Sequence, residues 1–159
     1  MMMLSEHLSL REAIFSKAAL NHNINNAPNE AQIEAMKVIA EKIYEPLRAG
    51  LGNKPIHVSS MFRNKQLNEI IGGSTTSQHM CQNGDSAMDL DNDLLGEPDN
   101  AQIFNFIKNN LEFDQLIWEF GSEKKPDWVH VSYRSKLKNR KQVLKSIVQN
   151  GRKKYIPFA

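Results

Sequence analysis

Cysteine is nearly missing from this 159-residue chain, and Cys81 stands alone. That excludes an internal disulfide framework and a multi-cysteine zinc ribbon. No run of about 18 apolar residues occurs, so no helix is expected to span a membrane. The opening stretch carries Glu6, Arg11 and Glu12 where the apolar core of a signal peptide would have to lie. A conventional secretory signal is therefore absent, and synthesis in the cytoplasm is expected. Repeats and low-complexity linkers are lacking, and so is the HExxH pattern of the commonest zinc proteases. Acidic residues are missing from 128–159, which holds nine basic ones, whereas residues 1–127 carry 11 basic and 18 acidic. A basic helix or tail from about residue 134 on an acidic body suits either a polyanionic partner or a solubilising face. Aromatic interleaving in that tail is limited to Tyr133 and Tyr155, so nucleic acid is not the expected partner.

What remains is an ordinary globular composition, 40% hydrophobic and 24% charged. One domain over 1–159 is expected, large enough to bury roughly 70% of the surface of its unfolded chain. Ser9 with Glu12 three residues on forms a capping box that starts a short helix. Ile33, Met36, Ile39, Ala40, Ile43 and Leu47 recur at three and four residues, so one helix face is buried, ending at Gly50 and Gly52. Helices are also expected over 64–71 and 100–111, and strands over 55–60, 86–91, 115–120 and 127–133. Helices first and strands later argue for an α+β domain, a small antiparallel sheet flanked by helices.

Three segments concentrate polar groups that a core does not need. They are Ser77-Gln78-His79 running on to Asp89, Asp127-Trp128-Val129-His130, and Arg63 after a strand. Two histidines and a carboxylate from separate elements supply three ligands to zinc and leave a fourth position for water, the arrangement of a catalytic rather than a structural site. Spacing alone leaves this open, since scattered His and Asp are more often surface or core residues.

The residues also resemble a family. Ser5-Glu6-His7-Leu8-Ser9-Leu10-Arg11-Glu12, Pro55 through Arg63, Gly72-Gly73-Ser74, Ser77-Gln78-His79-Met80, Phe113 through Ile117 and Trp128 through Tyr133 follow in order. Together they are similar to the D-Ala-D-Ala carboxypeptidase family of zinc peptidases, most of all to its small single-domain members in bacteriophages and bacteria. The resemblance implies the hedgehog-like fold of that family and one zinc ion per chain. It further implies cleavage of peptidoglycan stem peptides or cross-links at the bacterial wall, in an endolysin or a wall-maintenance enzyme. Carried over by position, His79, Asp89 and His130 are the zinc ligands and Asp127 is the general base. Arg63 binds substrate or polarises the scissile carbonyl, and Ser77 buttresses His79 or touches substrate.

Two departures from the family pattern stand out. The ligand aspartate usually follows the ligand histidine by seven residues, and here His79 to Asp89 is ten. Asp89 keeps its relation to Ala87, with Asp91 and then Asp85 as alternatives. Met61 replaces a glycine before Phe62-Arg63. Asp127 and His130 are three apart, and an ideal strand would turn them to opposite faces, so Asp127 is expected in the preceding turn. Glu119, on the face of Ile117, is the alternative acid or base, and Asp114 is a turn residue or a partner of a ligand histidine. Trp118 and Trp128 are expected as core or cleft walls, Cys81 as a bystander, and His7, His22 and His57 as surface residues. A non-catalytic module gripping peptidoglycan on the same fold is the alternative function. A monomer is the default.

Overall fold

A computed structural model describes residues 1–159. Met3–Ser5 (β1) and Leu8–Ser9 (β2) form a two-stranded antiparallel ribbon at the N-terminus. Leu10–Ile14 (α1) follows, opened by the Ser9/Glu12 capping box, and Lys17–Asn21 (α2) is capped by Ser16. The amphipathic stretch is one continuous helical rod made of Glu30–Ile39 (α3), a π-turn at Ala40–Tyr44, and Glu45–Gly50 (α4). Pro46 explains the π-turn, because a proline within a helix cannot supply its rung of the ladder. The bonding shifts instead, and the Glu45 N–H donates to the Ala40 carbonyl five residues back. The shift leaves Tyr44 facing inward, where its hydroxyl donates to Ile56 O at 2.9 Å. It also leaves Glu45 aimed at the ribbon, accepting from Ser5 Oγ at 2.6 Å and from the His7 N–H at 2.8 Å.

Val58–Ser60 (β3), Lys65–Ile70 (α5), Ser86–Leu90 (β4), Asn100–Asn110 (α6), Gln115–Glu119 (β5) and Trp128–Tyr133 (β6) complete the expected elements. The region beyond residue 134 differs from the expectation: it is a β-hairpin, Gln142–Gln149 (β7) and Arg152–Pro157 (β8), not a helix or a loose tail. Asn150 and Gly151 both sit at positive φ, 52° and 71°, the backbone of a two-residue hairpin loop whose twist matches the strands it joins. Four of the nine basic residues there pair with acids of the body: Arg134 with Asp85, Arg140 with Asp114, Lys141 with Glu112 and Lys153 with Glu119.

The main sheet runs β3-β4-β6-β5-β7-β8. It is antiparallel except for β5 against β7, which run parallel, so the sheet is mixed where a purely antiparallel one was expected. Residues directly opposite one another in paired strands share a face. Met88, Val131 and Leu116 fall on one face, as do Leu90, Val129 and Trp118. All six are buried with the helical rod and α6 in a single cluster of 25 residues. The helical rod and α6 cover that face, and the opposite face forms the floor of a cleft.

Candidate metal centre

The uncovered face carries Asp89, His130 and Ile117 in one row across β4, β6 and β5, with Glu119 and Trp128 in the next row. His79 reaches the first row from outside the sheet. It lies in a short 3-10 turn, Gln78–Met80, whose cap Ser77 accepts the His79 N–H on its hydroxyl. The Arg63 N–H also donates to the His79 carbonyl at 3.0 Å. The lengthened loop between the histidine and β4 is taken up by left-handed turns at Cys81, Asn83 and Gly84, so the extra residues bulge away and Asp89 keeps its place on the strand.

Ligand atoms of His79, Asp89 and His130 lie within 4.8 Å of one another. Asp89 Oδ1 is 2.9 Å from His130 Nδ1 and 3.4 Å from His79 Nε2. Tetrahedral ligands at about 2.0–2.1 Å from a zinc ion stand roughly 3.3 Å apart, so the separations suit one ion. The outer hydrogen bond of His79 supports the same reading. Its Nδ1 is 2.7 Å from Met61 O, and a carbonyl only accepts, so Nδ1 carries the proton and Nε2 offers its lone pair inward. Burial works against ionisation of Asp89, but His79 and His130 outweigh it and hold the carboxyl far below the usual carboxylate range. An anionic carboxylate with two imidazoles is a donor set that fits a divalent zinc. Asp91 and Asp85 are not brought to this cluster. Asp91 accepts from Asn100, and Asp85 holds Arg134.

A cleft of about 690 Å³ surrounds the centre. Arg63 and Ser77 line it together, Arg63 Nη2 donating to Ser77 Oγ at 3.1 Å. Burial lowers the Arg63 guanidinium below its usual value, with Asp89 and Tyr155 opposing. Its Nε is buried without a protein partner. The structure does not bring Asp127 to the cleft. Strand alternation turns Trp128 and His130 to the cleft face, and Asp127, in the turn before β6, projects into solvent. Its backbone is held from the other side: the N–H donates to Glu119 O, and the carbonyl accepts from Asn100 Nδ2.

Glu119 occupies the cleft instead. It is 2% exposed, and its Oε2 accepts from Ser146 Oγ at 2.6 Å and faces Lys153 Nζ at 2.9 Å. Its Oε1 accepts no hydrogen bond from the protein and is not sealed off, so it opens into the cleft. Lys153 and Tyr155 of β8 form the facing wall, and sequence reasoning missed both. The Asn150-Gly151 pair between alternating residues was the signal that could have found them. Asp114 does not touch a ligand histidine. It accepts from Gln78 Nε2 at 2.9 Å, one residue before His79. Trp118 is core and Trp128 is cleft wall, while Cys81 is buried and free, its thiol pushed up to about 12 by burial. No helix is long and apolar enough to cross a membrane.

Against known proteins, a family model described as Peptidase M15 matches residues 6–132. No curated protein matches the chain.

Proposed function

We propose, since the chain belongs to the Peptidase M15 family of zinc metallopeptidases, that it cleaves peptide bonds of bacterial peptidoglycan with a zinc ion held by His79, Asp89 and His130. The observation that carries this is the His-Asp-His cluster on the floor of an open polar cleft within the matched span. The domain, taken as one unit over 1–159, is read as the D-Ala-D-Ala carboxypeptidase (hedgehog-like) type. It acts at the wall as a carboxypeptidase or an endopeptidase, in a phage endolysin or a wall-maintenance enzyme, and as a monomer.

When bound, zinc supplies a Lewis acid and brings the pKa of a water down to about 7. The chain's own residues do the rest. Glu119 Oε1 takes the proton of the attacking water and returns it to the leaving amine. Arg63 holds the scissile carbonyl oxygen as negative charge builds on it, a role for which its unpartnered Nε and its neighbour Ser77 prepare it. Ser77 ties Arg63 to the His79 turn by serving both. We assign the proton transfer to Glu119 rather than to Asp127 because only the former reaches the cleft.

The test is digestion of purified peptidoglycan by the zinc-loaded protein, with mass spectrometry of the new ends, with and without chelator. Wild type is expected to release new amino ends in a chelator-sensitive way, and the ends name the bond. Glu119→Gln should lose about 10²–10⁴ of the rate, while Asp127→Asn keeps most of it. The reverse pattern would return the base to Asp127. Retention on the wall without new ends would make the protein a binding module.

A further inference from the structure

Glu119 is a cleft carboxylate whose two oxygens are treated differently, and the difference originates in the C-terminal hairpin. In the parallel register of β5 with β7, Ser146 lies opposite Glu119. Its hydroxyl accepts the Phe120 N–H at 3.0 Å and donates to Glu119 Oε2 at 2.6 Å. With the hydroxyl oxygen engaged by Phe120, the hydroxyl hydrogen has a fixed direction. Lys153, on β8, meets the same oxygen at 2.9 Å. The ammonium is itself confined, 4.9 Å from the ring centre of Tyr155, 5.2 Å from Phe120 and 5.8 Å from Trp128. One hydrogen bond and one ion pair on Oε2, with no protein partner on Oε1, fix the carboxylate plane, so the free oxygen presents one orientation to the cleft. A pair on the protein surface would gain little from such an arrangement, but the Glu119 side chain is only 3% exposed.

We propose that Ser146 and Lys153 are positioning residues that hold Glu119 by Oε2 so that Oε1 faces the reacting groups, which makes hairpin β7–β8 part of the catalytic apparatus. Both residues lie beyond residue 132, outside the span that the family model matches. The inference rests on the assignment of Glu119 as proton acceptor. It extends that assignment to groups that act through Glu119 and not on the reacting atoms. A misdirected base slows the chemical step and leaves ground-state binding alone, so the effect belongs in kcat.

The experiment compares Ser146→Ala, Lys153→Met and Lys153→Arg in the full zinc-loaded chain. One measurement is steady-state cleavage of the stem peptide that wild type cuts. The other is the carbon-13 carboxylate resonance of Glu119, identified by its absence from Glu119→Gln. Expected are kcat losses of about tenfold in Ser146→Ala and Lys153→Met with KM within twofold, and recovery of most of the rate in Lys153→Arg. Lys153→Met should add nothing to Glu119→Gln, as members of one unit do not add. The carboxylate resonance should move in both variants, and it reports on the contact whether or not the peptide is cut. An unmoved resonance overturns the inference. So does wild-type kcat in both variants when Glu119→Gln is inactive, and so does a raised KM at unchanged kcat, which would make Lys153 a substrate contact. Wild-type activity in Glu119→Gln would instead overturn the proton-acceptor assignment itself.

Discussion

Replacing Asp114 by asparagine should destabilise the fold by an amount its contacts allow to be worked out. Asp114 stands just before β5, fully buried. Its Oδ1 accepts the backbone N–H of Arg140 at 3.0 Å and Arg140 Nε at 2.9 Å. Its Oδ2 accepts Arg140 Nη2 at 2.8 Å and Gln78 Nε2 at 2.9 Å. An asparagine amide has one acceptor oxygen, so one of these two donor pairs would face an N–H₂ group. Hydrogen bonds to a charged group contribute about 1.5–3 kcal/mol each. The Arg140 side chain is half exposed and can turn to water, which discounts its share. A loss of about 3 kcal/mol remains, equivalent to about 6–12 °C in Tm for a chain of this size. Burial opposes ionisation of Asp114, but Arg140 and Gln78 outweigh it and lower its carboxyl below the usual range. A carboxyl lowered by folding contributes stability above its unfolded value, about 3.9, and that contribution is lost as the pH falls through its folded value. The gap between wild type and Asp114→Asn should therefore be constant near neutrality and narrow below about pH 4. Urea and thermal unfolding across that range measure it. A loss under about 1 kcal/mol at pH 7, or a gap as wide at pH 2 as at pH 7, would falsify the reasoning.

Two other outcomes are expected. His79→Ala, Asp89→Ala and His130→Ala should each remove tightly bound zinc, read by atomic emission after dialysis against a weak chelator; a variant that keeps one zinc per chain strikes its residue from the ligand set. Cys81 should resist a thiol reagent at pH 8 in the native protein and react on unfolding, since burial pushes its thiol up to about 12, and rapid native labelling would contradict its burial.

The parts of the fold that were legible in the sequence are those set by local chemistry. The Ser9/Glu12 box, the strand over Ser86 to Leu90 and the helix from Asn100 each follow from neighbours in the chain. The clustering of His79, Asp89 and His130 is a tertiary fact that spacing left open; the family resemblance nominated these residues, and the sheet brings them together. Asp127 and Glu119 differ in just this respect. Three residues before His130 is an odd step that an ideal strand turns to the other face, and the turn before β6 does not bring Asp127 back to the cleft. Glu119 was nominated as the alternative by its two-residue step from Ile117, and the register with β6 and β7 is what brings that face to the cleft. The hairpin was hidden by its own composition. Lysines and arginines on an edge strand look like solvated surface, and charge on an edge also discourages pairing with other chains.

The π-turn at Ala40–Tyr44 sets the rotary phase of everything after it. An α-helix advances about 100° and 1.5 Å per residue. Bonds that reach five residues back wind the chain less per residue, so the five residues of the turn carry it about as far round as four α-helical ones. Rewinding all five as regular α-helix would over-rotate Glu45–Gly50 by about 100°. Glu45 would swing off Ser5 and His7, and Leu47, now fully buried, would leave the core. A change that rewinds the turn with every residue kept therefore uncouples the N-terminal ribbon from the body, whereas loss of one residue inside it keeps the phase.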